Sequence, residues 1–283
     1  MSSASPQSAP TGRTATRTVA VGCAFVHSSV ADVPAIFQVE PRADQPVRVE
    51  DPRWRCEPAQ LGRGYTDLYG NSCRRLTIPA GRSVIRFDAV AVVPDAPEDV
   101  DEDAPELPPG ELPDDVLLYT LPSRYCLPDV LGEEAWTRFG SVPPGYRRVK
   151  AICDYVHDHL QFRYGSSTSW TTAADVHRSG YGVCRDFTHL AISLCRALNI
   201  PARYVFGYLP EMDVPRRGQP MDFAAWMEVW LGDRWWTFDP RNNTPRKGRV
   251  LIGRGRDATD VAMATTFGAP YLESMVVRAE EIG

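Results

Sequence analysis

Hydrophobic and polar residues alternate along much of the first third of the chain. Between residues 19 and 93, short apolar runs with a period of two are separated by Gly, Pro, Asp and Asn. Such runs are typical of half-buried β-strands, because successive side chains of a strand point to opposite faces of the sheet. We therefore predict an N-terminal β-rich domain over residues 19–93, in the form of a small β-sandwich.

Beyond residue 116 the pattern becomes mixed. Apolar residues at helical spacing predict helices over 146–161 and 184–198, and Pro201 ends the second. Residues 202–209, 224–231 and 234–239 read as strands, and Gly232-Asp233 predicts a two-residue hairpin loop between the last two. The predicted fold class is α+β, with a domain over 116–283 in which a helix packs on an antiparallel sheet.

Two segments have no apolar pattern. Residues 1–18 are rich in Ser, Thr, Ala and Pro, which predicts a disordered tail. Residues 94–115 are acidic and rich in Pro, which predicts an extended linker that repels itself.

Charge and cysteine content narrow the possible partners and location. A net charge of −5 and a pI near 5.6 argue against a nucleic acid or an anionic membrane as partner. No apolar run reaches the ~18 residues of a membrane span, and the N-terminus lacks a secretory apolar core. The seven cysteines are odd in number and scattered, as expected for thiols in a reducing compartment. We predict a cytoplasmic protein.

Cys184 is the candidate nucleophile. It follows Gly180-Tyr181-Gly182-Val183 and begins the second predicted helix. Unpaired N–H groups and the positive end of the helix dipole stabilise a thiolate at that place, and they can also bind an oxyanion. A buried thiol that only fills space is the alternative for this residue taken alone.

The predicted hairpin places residues 224 and 239 as candidate catalytic partners of Cys184. With a loop at 232–233, Trp226 lies opposite Asp239, and residue 224 is a diagonal neighbour of Asp239 on the same face. A histidine at 224 could be oriented by Asp239 and could deprotonate Cys184, which would complete a Cys-His-Asp relay. The sequence has Ala224 at this position.

Three blocks in this order resemble the bacterial transglutaminase-like superfamily, which has a papain-like fold. The family pattern is a cysteine that opens a helix, His-Ala-Trp that opens a strand, and an aspartate that ends the next strand. Cys184, Ala225-Trp226 and Asp239 match it over about residues 120–265, and Ala224 stands where the histidine belongs. The β-rich front half also resembles the region that often precedes this domain in bacteria.

The resemblance implies acyl transfer through a thioester on Cys184, with a peptide, protein or acyl thioester as substrate. Water as acceptor gives hydrolysis, and an amine gives transamidation or amide synthesis. It implies no cofactor and no metal. Ala224 predicts an inactive copy, either through an engineered His-to-Ala change, which the intact surroundings favour, or as a natural pseudoenzyme. A pseudoenzyme would serve as a peptide- or protein-binding module.

Two further side chains are candidates for substrate or oxyanion contacts. Trp170 lies in a Gly/Ser/Thr-rich loop, and its indole N–H is a candidate second oxyanion donor. Arg185 follows the nucleophile and could lower the pKa of its thiol or bind a substrate carboxylate, with a plain ion pair as the alternative.

The remaining histidines are weaker candidates. We expect His189 to point away from Cys184, because five residues of helix turn it about 140° around the axis. His177 is the only other histidine placed to replace the missing base. Cys153, His157 and His159 suggest a metal site, but Cys153 belongs to an apolar stripe, which favours a structural role.

Overall fold

The computed structural model describes residues 15–215, 218 and 220–282. Most of the predicted disordered tail, residues 1–14, lies outside the described part. The described part contains helices and strands in a mixed order, which confirms the α+β prediction. The helices are α1 (Asp114–Leu117), α2 (Gly132–Phe139), α3 (Tyr146–His159), α4 (Ala173–Ser179) and α5 (Cys184–Ala197). The strands are β1 (Thr16–Ser29), β2 (Val33–Phe37), β3 (Arg48–Glu57), β4 (Arg63–Thr66), β5 (Ser72–Ile78), β6 (Gly81–Pro94), β7 (Gln161–Phe162), β8 (Tyr181–Gly182), β9 (Ala202–Tyr208), β10 (Ala224–Leu231), β11 (Arg234–Phe238), β12 (Val250–Gly255), β13 (Ala264–Thr266) and β14 (Tyr271–Glu281).

Two four-stranded antiparallel sheets form a β-sandwich. Their strand orders are β14-β1-β6-β3 and β13-β2-β5-β4. Phe25 of one sheet packs against Phe37 of the other, with ring centroids 5.3 Å apart, and Phe87 and Trp54 extend the same core. Burial of these large rings is the main stabilising contribution to the sandwich.

The sandwich includes strands from both ends of the chain. β13 pairs with β2, and β14 pairs with β1 from Val19↔Glu281 to Ser28↔Tyr271. These pairings cross the predicted boundary between a 19–93 domain and a 116–283 domain. β1 also begins at Thr16, inside the segment predicted as a tail. The division into separate domains stays a prediction, and the two parts share one continuous core.

The acidic segment after β6 lies along the surface of the core. Ala104 and Leu112 are buried, and Glu106 forms an ion pair with Arg148 at 3.0 Å. The carbonyl oxygen of Pro105 accepts a hydrogen bond from the Gly232 N–H at 2.7 Å. These contacts offset the repulsion between its acidic side chains, so the segment is held in place instead of extending freely.

The second half is built around an antiparallel sheet of order β11-β10-β9-β12, on which α5 packs. The hairpin has the predicted register, from Leu231↔Arg234 to Met227↔Phe238. Gly232 has a φ of 64°, which a two-residue loop requires at that position. Met227 and Phe238 belong to the core that includes α5, and Trp226 belongs to a separate cluster with Ala224. The alternation of β10 therefore places Ala224 and Trp226 together and apart from Met227.

Candidate active site

Cys184 is the first residue of α5, and local sequence explains why the helix begins there. Gly180 ends α4 in the left-handed conformation, with a φ of 74°. The Asp186 carboxylate accepts the Val183 N–H at 2.8 Å and so satisfies a donor at the start of the helix. A Cβ at Gly182 would lie 2.7 Å from the Asp186 Cβ, so this cap needs a glycine before the cysteine.

The Cys184 thiol lies against the chain that enters β10. Its Sγ is 3.8 Å from the Phe223 carbonyl oxygen. Burial raises the pKa of the thiol to about 11, and the Asp222 carboxylate adds to this shift. The Arg241 charge and the N–H groups of Ala225 and Arg185 favour the thiolate but do not outweigh burial. At neutral pH the thiol is protonated and weakly nucleophilic.

Cys184 and Ala224 line the same cavity, which has a volume of about 300 Å³. Its other walls are mainly apolar, from Tyr204, Phe206 and Met263. A cavity of this size can hold a small ligand, and an imidazole at position 224 would occupy only part of it. The structure therefore brings together two of the three predicted relay positions.

Asp239 does not line this cavity. Its Oδ1 accepts the N–H groups of Arg241 and Asn242, at 3.1 and 2.9 Å. Its Oδ2 accepts the Asn242 side-chain amide at 2.6 Å and the Arg249 Nη2 at 2.8 Å. Burial raises the pKa of Asp239, but Arg249 and Asn242 outweigh this, so the pKa lies below its ordinary value. The carboxylate is thus ionised, buried and fully used in holding the turn after β11.

A second, smaller groove of about 60 Å³ lies on the other side of Ala224. Asp222 and Ala224 line both hollows, and Arg241 and Asn242 line only the smaller one. Sequence reasoning overlooked these three polar residues. The available signals were their positions, two residues before β10 and two and three residues after Asp239. Burial raises the pKa of Asp222, whose carboxylate is placed beside the cysteine.

The comparisons with known proteins agree with this geometry. Residues 136–240, which include Cys184, Ala224 and Asp239, match the family model described as the transglutaminase-like superfamily. This segment is a transglutaminase-like core. The family resemblance drawn from the three sequence blocks is therefore confirmed.

Relatives of the transglutaminase-like core and its sandwich come from several bacteria. The crystal structure of a candidate cysteine protease from Cytophaga hutchinsonii superposes with a TM-score of 0.86 and 29% identity, over 95% of this chain and 92% of that one. An uncharacterized protein of Mycobacterium tuberculosis is 29% identical over 231 residues, 74% of this chain and 73% of that one. One of Mycobacterium leprae is 34% identical over 119 residues, 41% of this chain. That match spans only 42% of the Mycobacterium leprae protein.

The other two predicted site residues have different surroundings. Arg185 lines the cavity of the transglutaminase-like core, but its Nη2 donates to the Thr168 carbonyl at 2.8 Å and its Nε lies 3.5 Å from Asp186. Trp170 does not line the cavity. Its ring is 74% exposed and stacks under the Arg124 guanidinium at 5.2 Å. The geometry therefore gives no support to Trp170 as an oxyanion donor.

Neither alternative histidine replaces the missing base. His189 is fully buried, and its Nε2 accepts the Ala258 N–H at 3.1 Å. Burial lowers the pKa of His189 to about 3. His177 is hydrogen-bonded to the Tyr155 hydroxyl at 3.0 Å and does not line the cavity.

The sequence-based metal candidates lie in different surroundings. Cys153 is buried in the core, and His157 is exposed with its Nδ1 3.0 Å from the Arg241 carbonyl oxygen. Within the described residues, no group of three His, Cys, Asp or Glu side chains is arranged to hold a metal ion. In the same part of the chain, no helix is both long enough and apolar enough to cross a membrane.

Proposed function

We propose that this protein is a transglutaminase-like cysteine acyltransferase or amidase that has lost its general base at position 224. The observation that carries the proposal is the cavity shared by Cys184, at the N-terminus of α5, and Ala224, at the start of β10. Cysteine acyl transfer needs a nucleophile with a base beside it, and the shared cavity supports the proposal because it has room for an imidazole next to Cys184.

With a histidine at 224, the imidazole would take the thiol proton and the Cys184 thiolate would attack an amide or thioester carbonyl. The oxyanion would form near the N–H groups at the start of α5. The C–N or C–S bond of the substrate then breaks, and the imidazolium gives its proton to the leaving group. The thioester acyl-enzyme is released by water or by an amine. With Ala224, the first proton transfer has no acceptor and the thiol pKa stays near 11.

Peptide or protein substrates are the proposed class. Support comes from the candidate cysteine protease of Cytophaga hutchinsonii, which shares 29% identity along almost the whole chain. Hydrolysis is accordingly the first reaction to test, and amine acceptors are the second. A cytoplasmic location and the exclusion of nucleic acid and membrane as partners stay predictions.

The direct test is to restore the base. Ala224→His should raise turnover of peptide and thioester substrates by about 10²–10⁴-fold over the native chain. Free imidazole should partly rescue the native chain, because the cavity has room for it. Both effects should disappear in Cys184→Ala, the matched control. If Ala224→His folds and forms no acyl adduct on Cys184 with any substrate, the enzyme proposal fails.

A binding module without catalysis is the second candidate. The observation in its favour is that Asp239 is fully engaged by Asn242 and Arg249 in the absence of a histidine. The presence of Asp239 therefore no longer favours an engineered His-to-Ala change over a natural pseudoenzyme. For a binding module, peptide affinity should be unchanged in Cys184→Ala and lost in Ala224→Trp, which fills the cavity. The codon for residue 224 in the natural gene separates the two origins of the alanine.

A further inference from the structure

A second large cavity lies between the sandwich and the sheet of the transglutaminase-like core. Its volume is about 330 Å³, which is in the range of small-molecule sites. Its lining includes Val47, from before β3, and Ala96 and Glu98 from the segment after β6. Trp226 and Trp235 of the core sheet also line it. Cys184 and Ala224 are not among its lining residues, so this cavity is separate from the candidate active site.

Arg249 is the polar group that gives this cavity its chemistry. Its side chain is only 9% exposed. The Nε is bound to Glu98, and the Nη2 donates to Asp239 at 2.8 Å. The Nη1 is buried and has no hydrogen-bond acceptor among the described residues. A buried donor without an acceptor is destabilising, so an acceptor supplied by a ligand would be favoured.

The other charges around the cavity limit the ligand to a single negative charge. Glu228 is held by Arg254 at 2.9 Å, and Asp99 is held by Arg234 at 2.8 Å. These pairs are already neutralised, and Glu98 lies beside Arg249 itself. A dianion such as phosphate would meet the Glu98 carboxylate beside Arg249, which makes it a poor fit.

The apolar part of the cavity lining indicates that the uncharged part of the ligand is also apolar. The Trp226 ring lies 4.8 Å from the Arg249 guanidinium, and Val47 and Leu251 lie nearby in the lining. An aromatic or aliphatic group can pack on these surfaces while a carboxylate accepts from Nη1. We propose that this cavity binds a small monocarboxylate, with the carboxylate on Arg249 and the apolar body against Trp226.

Benzoate and its neutral isostere benzamide are the test probes, measured on the purified full chain by ligand-observed NMR and thermal shift. Benzoate should bind at least tenfold more tightly than benzamide, and inorganic phosphate should not compete with it. Arg249→Lys should weaken benzoate binding at least fivefold. Arg234→Lys, on the same cavity but paired with Asp99, should leave it within twofold.

A variant that avoids the buried ion pairs protects the test against misfolding. Ala96 is exposed at the cavity mouth, so Ala96→Trp should block benzoate entry without disturbing the core. Equal affinities for benzoate and benzamide would overturn the proposal, because Arg249 would then not select a carboxylate. Undiminished benzoate binding in Ala96→Trp would overturn it as well, because the ligand would then lie elsewhere.

Discussion

The Cys184 Sγ lies 3.8 Å from the Phe223 carbonyl oxygen, one residue before β10 begins. This contact joins the N-terminus of α5 to the strand that carries residue 224. It holds the half-buried thiol beside the cavity that residue 224 also lines. The same burial that builds the site therefore raises the thiol pKa when no base is present.

The first prediction concerns the pH dependence of Cys184 alkylation. Because its pKa is raised to about 11, the iodoacetamide rate should rise about tenfold per pH unit from pH 7 to 10 and show no plateau in that range. Peptide mapping with mass spectrometry gives the rate for each cysteine. In Ala224→His the profile should level off at lower pH, because an imidazolium partner stabilises the thiolate. A plateau below pH 9 in the chain with Ala224 would contradict the raised pKa of this thiol.

The second prediction tests whether Asn242, which Asp239 holds in place, orients a histidine restored at position 224. Asn242 lines the groove beside residue 224, and Asp239 holds the Asn242 amide at 2.6 Å. In the Ala224→His background, Asn242→Ala should lower kcat about tenfold and shift the pH profile, with little effect on KM. Asn243→Gly is the matched control, since the Asn243 amide binds Asp154 and its φ of 54° suits glycine. Equal effects of the two substitutions would argue against a positioning role for Asn242.

The third prediction follows from the buried neutral His189. Its pKa is lowered to about 3, whereas the ordinary value is 6.5. Below pH 6.5 the unfolded chain binds a proton that the folded chain does not, so stability falls as pH falls. By pH 5 this residue alone should have reduced the free energy of unfolding by about 2 kcal/mol. His189→Gln, which keeps an acceptor for the Ala258 N–H, should show a flatter dependence in urea denaturation between pH 7 and 5. An unchanged slope would mean that His189 is protonated in the fold.

The fourth prediction tests the pairing of the C-terminal strand with the sandwich. Val277 of β14 is 5% exposed, and its neighbour Val276 is 62% exposed. Val277→Asp buries a charge and should lower the free energy of unfolding by at least about 3 kcal/mol. Val276→Asp should change it by no more than about 0.5 kcal/mol. Similar effects from both would show that β14 does not pack on β1 as described.

Local sequence features were sufficient for much of the site. Gly182 and Asp186 fix the start of α5, so the place of Cys184 at a helix N-terminus follows from neighbouring residues. Gly232-Asp233 fixes the hairpin register, and the period of two then decides that Ala224 and Trp226 share a face. These features depend on contacts between residues close in the chain, which a sequence pattern records directly.

Other features were decided only by the tertiary structure. β14 pairs with β1 from the opposite end of the chain. The local pattern of either strand does not indicate which strand it pairs with. The same holds for Asp239, whose carboxylate binds Arg249, the residue before β12, and for the second cavity, which Arg249 also lines. The sequence by itself determined helices α3 and α5, strands β9, β10 and β11, and the place of Cys184 at a helix N-terminus. Long-range packing decided which buried charges meet, because ion pairing in a core depends on distances between elements that periodicity does not encode.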